Sequence, residues 1–262
     1  MPGVGAYIGI AGWAIPRAHV QRFPTAGSTL QRYAGIFPAV EINSTFHRHH
    51  RPATYSRWAE STPADFRFSL KLPKTITHER KLMEIEEPLD EFLTGARLLG
   101  KKLGPILVQL PPSLAFDPAL ATSFFTTLRD RHAGPIVCEP RHASWFADDA
   151  DGLLKTRGIG RVAADPAVVP AAAEPGGWPE PGYYRLHGSP RKYFSGYEDE
   201  RIRRLASAIE EAAGEVWCMF DNTAGGAAAG DALDLFTAIQ SRTSPHSAGA
   251  RHAEPAAGPQ RS

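Results

Sequence analysis

Cysteine is scarce: Cys138 and Cys218 are the two in a chain of 262 residues. Each lies within an apolar run and reads as a buried, reduced thiol, with no CxxC metal motif and no disulfide framework. An excess of one charge is also lacking. The formal net charge is +1, far from the strongly basic footprint of a dedicated nucleic-acid binder. No apolar run approaches the roughly 18 residues of a membrane span. No basic stretch with a long apolar segment leads into the first strand-like run at Tyr7, so no signal peptide is expected. A cytoplasmic protein without a membrane partner is the reading that remains. No GxGxxG follows the first strand and no Walker A motif occurs, which argues against a nucleotide-binding open sheet.

What the chain does have is a recurrence of short apolar runs separated by helical patterns. Eight strands are expected near Tyr7–Ile10, Ala39–Ile42, Phe66–Leu70, Ile106–Gln109, Ile136–Glu139, Arg161–Ala164, Tyr183–Leu186 and Val216–Phe220. Their continuous apolar character suits parallel strands covered on the outside. Ser28 with Gln31 makes a capping-box pattern, and Asp117-Pro118 a cap followed by a first-turn proline. Leu120, Phe124 and Leu128 form one helical stripe, as do Leu89, Phe92, Leu93, Ala96 and Leu99. Strand–helix alternation predicts an α/β fold, a (β/α)8 barrel of the TIM type. The sixth unit is irregular: five prolines between Pro166 and Pro181 leave little room for a helix. Residues 1–240 are expected to form one barrel domain. Residues 241–262, poor in apolar periodicity, read as a disordered tail.

The strand ends carry the chemistry. The first runs into Gly12 and Trp13, the second into Glu41 and Asn43, the third into Lys71, and the fourth into Gln109. The fifth supplies Glu139 and Arg141, the sixth Asp165, the seventh Arg185 and His187, and the eighth Asp221 and Asn222. Residues i and i+2 of a strand share a face. Glu41 with Asn43, Glu139 with Arg141, and Arg185 with His187 therefore point together, into the C-terminal mouth where barrel enzymes keep their sites. Any one of these residues is equally well explained as a structural ion pair. The repetition from strand to strand favours a shared site for a small molecule.

The mixed charge of this ring suits a small polar or anionic substrate, sugar-like or phosphorylated. Glu139 or Glu41 is the expected general base, and His187 or Lys71 the proton-transfer partner. Arg141 and Arg185 are expected to clamp an anionic group. Trp13, Asn43, His78, Gln109, Asp165 and Asn222 would line the substrate. Isomerase or lyase chemistry fits without a cofactor. A divalent metal on Glu41, Glu139, Asp165 and His187 is the weaker reading, since three interleaved cations would oppose it. Barrel glycosidases that retain configuration place carboxylates after the fourth and seventh strands, and here Gln109 and Arg185 stand there. A phosphate site is conceivable at Gly188, Ser189, Arg191 and Lys192 with Thr223, Gly225 and Gly226, although an ordinary loop explains them as well. His47, His49 and His50 read as a solvated loop. The alternative to an enzyme is a non-catalytic barrel binding a metabolite or nucleic acid, or a metal-dependent nuclease-like barrel.

Several segments together resemble the YecE-like family, a domain of unknown function numbered 72. They are Gly9-Ile10-Ala11-Gly12-Trp13, Val40-Glu41-Ile42-Asn43-Ser44-Thr45-Phe46, Phe68-Ser69-Leu70-Lys71 and Ile76-Thr77-His78. Gln109-Leu110-Pro111-Pro112, Glu139-Pro140-Arg141-His142-Ala143-Ser144-Trp145, Tyr184-Arg185-Leu186-His187-Gly188 and Phe220-Asp221-Asn222 complete the set. The resemblance runs from about Tyr7 to Phe236. It implies a TIM-type barrel loosely grouped with sugar-isomerase-like barrels, and it carries no reaction to transfer. His47 departs from it, since the family more often has tyrosine there.

Overall fold

The computed structural model describes residues 5–243. Its strands are β1 (Ala6–Ile10), β2 (Ala39–Ile42), β3 (Arg67–Lys71), β4 (Leu103–Gln109) and β5 (Ile136–Glu139). They continue as β6 (Ile159–Arg161), β7 (Ala163–Asp165), β8 (Gly176–Gly177), β9 (Gly182–Leu186) and β10 (Val216–Phe220). The α-helices are α1 (Thr29–Ala34), α2 (Ser44–His47), α3 (Pro52–Glu60), α4 (Glu86–Ala96), α5 (Pro118–Arg131), α6 (Asp148–Thr156), α7 (Asp199–Glu211) and α8 (Ala227–Thr243). The capping box forms at α1, where Ser28 Oγ accepts from Gln31 N and Gln31 answers to Ser28 N. Asp117 caps α5 by accepting from Leu120 N at 2.9 Å.

Two parallel ladders run β2-β3-β4-β5-β6 and β1-β10-β9-β7, with β8 a short antiparallel addition to β6. The ladders meet at both margins. β6 and β7 are halves of the expected sixth strand, parted at Val162: the first half pairs with β5 and the second with β9. On the other side Ala11 and Glu41 form a parallel bridge, and Gly12 N donates to Glu41 O at 2.9 Å. Eight parallel strand positions thus close in a ring. The sixth unit carries a single short 3-10 turn, Pro170–Ala173, in place of a helix. β4 begins three residues before the apolar run that marks it, and takes in Pro105. The β3–β4 register shifts alongside, between Phe68 and Leu70, where the proline leaves the ladder without a donor.

Alternation along each strand divides the core in two. Ala39, Leu107, Val137, Val162, Tyr183, Trp217 and Met219 fill the inside of the ring, with Tyr7 stacked on Trp217 at 4.7 Å. Neighbours of opposite parity, such as Ile8, Val40, Phe68, Leu70, Val108 and Cys138, face the helices. Gly9 sits where β1 and β2 come close: a Cβ there would stand 2.2 Å from the Ala39 carbonyl oxygen. α8 runs to Thr243, past residue 240 where the barrel domain is expected to end. The tail expected beyond it falls, from residue 244 on, outside the described residues. Among the described residues no helix is long and apolar enough to cross a membrane.

Candidate functional site

Inside parity carries straight up into the mouth. Two residues on from Ala39 comes Glu41, then Asn43. Ser69 leads to Lys71, Leu107 to Gln109, Val137 to Glu139 and Arg141, Tyr183 to Arg185 and His187, and Met219 to Asp221. The apolar plug is therefore topped by a polar layer built from six strand positions. Glu41, Glu139, Arg185 and His187 are all 0% exposed and Lys71 is 7% exposed.

Arg185 is the hub. Its Nε and Nη2 donate to the two oxygens of Glu41 at 2.9 and 2.7 Å. Nη2 also donates to Asp221 Oδ2 at 3.0 Å, and Nη1 to Glu139 Oε2. Four N–H contacts out of the guanidinium's five donors go to carboxylates. Burial opposes its charge, but Glu139, Glu41 and Asp221 hold it firmly protonated. The Tyr183 hydroxyl donates to Glu41 Oε2 at 2.9 Å and lies the same distance from Ser69 Oγ.

Glu139 is equally committed. Oε2 accepts from Arg185 and from Gln109 Nε2 at 3.1 Å. Oε1 faces Arg141 Nη1 at 3.0 Å and His187 Nε2 at 2.9 Å. Burial would raise its pKa, yet Arg185, His187 and Arg141 hold the carboxyl well below the usual carboxylate range. His187 Nδ1 in turn faces Asp221 Oδ2 at 3.0 Å. Asn43 Nδ2 donates to Asp221 Oδ1 at 3.1 Å, while its own Oδ1 is buried and accepts nothing within the described residues.

Lys71 stands apart from this network. Its ammonium lies 3.9 Å from the centre of the Phe46 ring, a cation–π contact. Burial, with Arg185 nearby, pulls its pKa down to about 8 against the opposing pull of Glu41, Glu139 and Asp221. His78 meets the same Phe46 ring edge-on at 4.9 Å and accepts from, or donates to, Thr77 Oγ1 at 2.8 Å through Nδ1. Burial and the Lys71 charge lower its pKa as well. Arg141 has its single ion pair to Glu139 and further N–H groups without a partner among the described residues.

Two expected lining residues, Asp165 and Asn222, lie elsewhere. Asp165 has the opposite parity to Val162 and Ala164, so it leaves the ring and pairs with Arg201 of α7 at 3.0 Å. Asn222, one residue past the inward Asp221, turns outward to Asp231 Oδ2 and Ser195 O. Trp13 packs edge-on against Trp58 at 5.4 Å, half-buried at the start of the first loop. In the loop after β9, the Arg191 and Lys192 charges lie over the Phe194 and Tyr193 rings. His47 packs on Phe46, His49 lies 3.5 Å from Glu91, and His50 bonds Ser44 Oγ. Among the described residues no group of three His, Cys, Asp or Glu is arranged to hold a metal ion. Both oxygens of Glu41 and of Glu139, and Oδ2 of Asp221, face guanidinium or imidazole nitrogens, while Asp221 Oδ1 accepts from the Asn43 amide.

Tyr183 and Ser69 are mouth residues that the strand-end pattern does not name. Both share inward parity with Arg185 and Lys71, and the i, i+2 rule marks them.

Comparison with known proteins places this geometry in a family. The model described as "Protein of unknown function DUF72" matches residues 7–256. The UPF0759 protein YecE of Escherichia coli (strain K12) is 33% identical over 174 residues, 63% of this chain and 61% of that protein. The UPF0759 protein YunF of Bacillus subtilis (strain 168) is 29% identical over 149 residues, 54% of this chain and 52% of that one. The chain spans less than two thirds of the length of these curated relatives. A DUF72 family protein of Thermotoga maritima MSB8 superimposes with a TM-score of 0.74 at 23% identity, covering 90% of this chain and 99% of that one. One of Enterococcus faecalis V583 does so with a TM-score of 0.74 at 22% identity, covering 92% and 99%. At such identities the likeness shows the fold alone.

Proposed function

The chain belongs to the DUF72 family, proteins of unknown function, and from the site itself we propose an enzyme of small anionic carbonyl compounds in which Lys71 moves the proton. The reaction class is proton abstraction next to a carbonyl, as isomerases and carbon–carbon lyases require. One observation carries the reading. Lys71 is the buried ionisable group of the mouth that no hydrogen bond or ion pair among the described residues holds, and its pKa falls near the working range, at about 8.

The carboxylates serve differently in this scheme. Glu41 and Glu139 would have to break ion pairs to Arg185 before taking a proton, and Glu139 is held far below the range useful to a base. They fix Arg185, and with it the field in which Lys71 gives up its proton. Arg185 has little left to offer a substrate, so anion binding passes to Arg141. His78, neutral beside Lys71, is placed to relay the proton. Asn43 Oδ1 is an acceptor for a substrate hydroxyl. A cytoplasmic metabolic role without nucleic acid fits this set.

Solvent exchange tests the reading without knowledge of the product. Sugar phosphates and 2-oxo acids that stabilise the protein thermally are incubated with it in deuterium oxide, and α-hydrogen loss is followed by proton NMR. Catalysed exchange is expected, and Lys71→Met should slow it by about 100- to 10,000-fold, the usual worth of a general base. Stabilisation without exchange would leave a binding barrel, and exchange that survives Lys71→Met would discard the assigned base.

A further inference from the structure

Lys71 is buried and Lys102 half-buried, and their surroundings differ in kind. Lys102 donates to Thr62 O at 2.7 Å, to Thr62 Oγ1 at 3.2 Å and to Ala59 O. All its protons are used, which is how a structural ammonium is satisfied. Lys71 has none of this. Its Nζ lies against the face of Phe46, at the end of β3, with the neighbouring carboxylates turned to Arg185 and His187. The aromatic face attracts the ammonium and so opposes loss of its charge, but no hydrogen bond has to break when the amine gives up a proton. Withdrawal from water and the nearby Arg185 charge favour that loss.

We infer that Lys71 is a nucleophile that forms an imine with an aldehyde or ketone whose anionic group Arg141 holds. The inference rests on the reading of the mouth as a carbonyl site, and changes the part Lys71 plays in it. The neutral amine adds to the carbonyl carbon: an N–C bond forms and the π electrons go to oxygen, which is protonated. The carbinolamine hydroxyl takes one proton from solvent and leaves as water while the nitrogen lone pair makes the C=N bond, giving a protonated imine; the proton returns to solvent when the imine is hydrolysed. That cation withdraws electrons from the adjacent carbon, whose C–H pair flows into C=N to give an enamine. His78 takes the proton: Nδ1 is engaged by Thr77 Oγ1, and Nε2 has no partner among the described residues. Reprotonation and uptake of one water restore the amine, so no oxidant, reductant or further reactant is needed. In the imine form the retained positive charge sits where the lysine ammonium sat, over Phe46 and among Glu41, Glu139 and Asp221.

Reductive trapping tests the covalent step. The protein is treated with pyruvate or dihydroxyacetone phosphate and sodium cyanoborohydride at about pH 8, and adducts are located by intact mass and peptide mapping. Lys71 should be labelled about 10- to 100-fold faster than exposed Lys101, and Arg141→Gln should remove about the same factor, that of a lost charge-assisted contact. Acetone and dihydroxyacetone, which lack the anion, should react with Lys71 more slowly than their charged counterparts. The Lys71→Arg variant should give no adduct on that peptide, and if it fails to fold, mapping of the wild type decides alone. Labelling of Lys71 no faster than Lys101 with both anionic probes overturns the inference. If deuterium exchange still depends on Lys71 in that case, the amine is a plain base and the proposed function stands; if both readouts fail, both readings fall.

Discussion

The guanidinium of Arg185 grips Glu41 side-on, Nε to Oε2 at 2.9 Å and Nη2 to Oε1 at 2.7 Å, with both side chains fully buried. Such a pair gains little over a well-packed apolar one, but breaking it from one side strands a buried charge. Arg185→Met, which leaves Glu41, Glu139 and Asp221 facing one another, should cost about 3–5 kcal/mol in urea unfolding. Glu41→Gln should cost less, because Glu139 and Asp221 still hold the arginine. The double variant should be more stable than the sum of the two losses predicts. Strictly additive losses would show that the two residues do not share one network.

Lys71 should make stability depend on pH in a distinctive way. Its pKa is about 8 in the folded protein, against an ordinary value of 10.5. Between these limits the unfolded chain holds a proton that the folded one has released, so folding stability rises with pH there. Below pH 8 the unfavourable contribution is present in full, up to about 3 kcal/mol. Lys71→Met should therefore be more stable than the wild type at about pH 7, and the gap should close toward about pH 10. Urea midpoints for the two proteins at the two pH values decide this, and a gap that stays constant contradicts the lowered lysine.

The ring of strands was readable because each unit carries two independent signals, an apolar run and a capped amphipathic helix. Glu41 with Asn43, Glu139 with Arg141, and Arg185 with His187 were readable as inward-facing pairs from alternation alone. Parity failed at the sixth strand. Residues 161–165 are Arg-Val-Ala-Ala-Asp, where small residues of both parities leave no contrast to show which face is inside. What alternation cannot convey is partnership. Arg141, Arg185 and Lys71 look alike as cations in a sequence, and the three-dimensional packing of Glu41, Glu139 and Asp221 around Arg185 is what separates the saturated one from the others.

Glu139 should set part of the acid response. Its carboxyl is buried, which alone would raise its pKa, and Arg185, His187 and Arg141 instead hold it well below 4.5. A depressed carboxylate stabilises the fold in full above its unfolded value and loses that contribution as pH falls toward the folded one. Glu139→Gln, near-isosteric but neutral, should cost about 3–5 kcal/mol at neutral pH. The deficit relative to wild type should shrink once pH drops below about 4.5. Unfolding curves that stay parallel down to acid pH would mean Glu139 is not the ionised partner described.

Asp165 and Asp221 both close a strand with a carboxylate, and parity alone tells them apart. Asp165 points outward to Arg201, with the two side chains 21% and 39% exposed. A pair so wet is worth about 0.2–1 kcal/mol. Asp221 points inward, where it accepts from Arg185 Nη2 and from His187 Nδ1, both buried. Asp221→Asn weakens the partner of both the Arg185 guanidinium and the His187 ring and should cost about 3–5 kcal/mol, with loss of Lys71-dependent exchange. Asp165→Asn should leave exchange unchanged and stability within about 1 kcal/mol. Equal damage from the two substitutions would place Asp165 inside the mouth after all, and the division of the sixth strand at Val162 would then have to be redrawn.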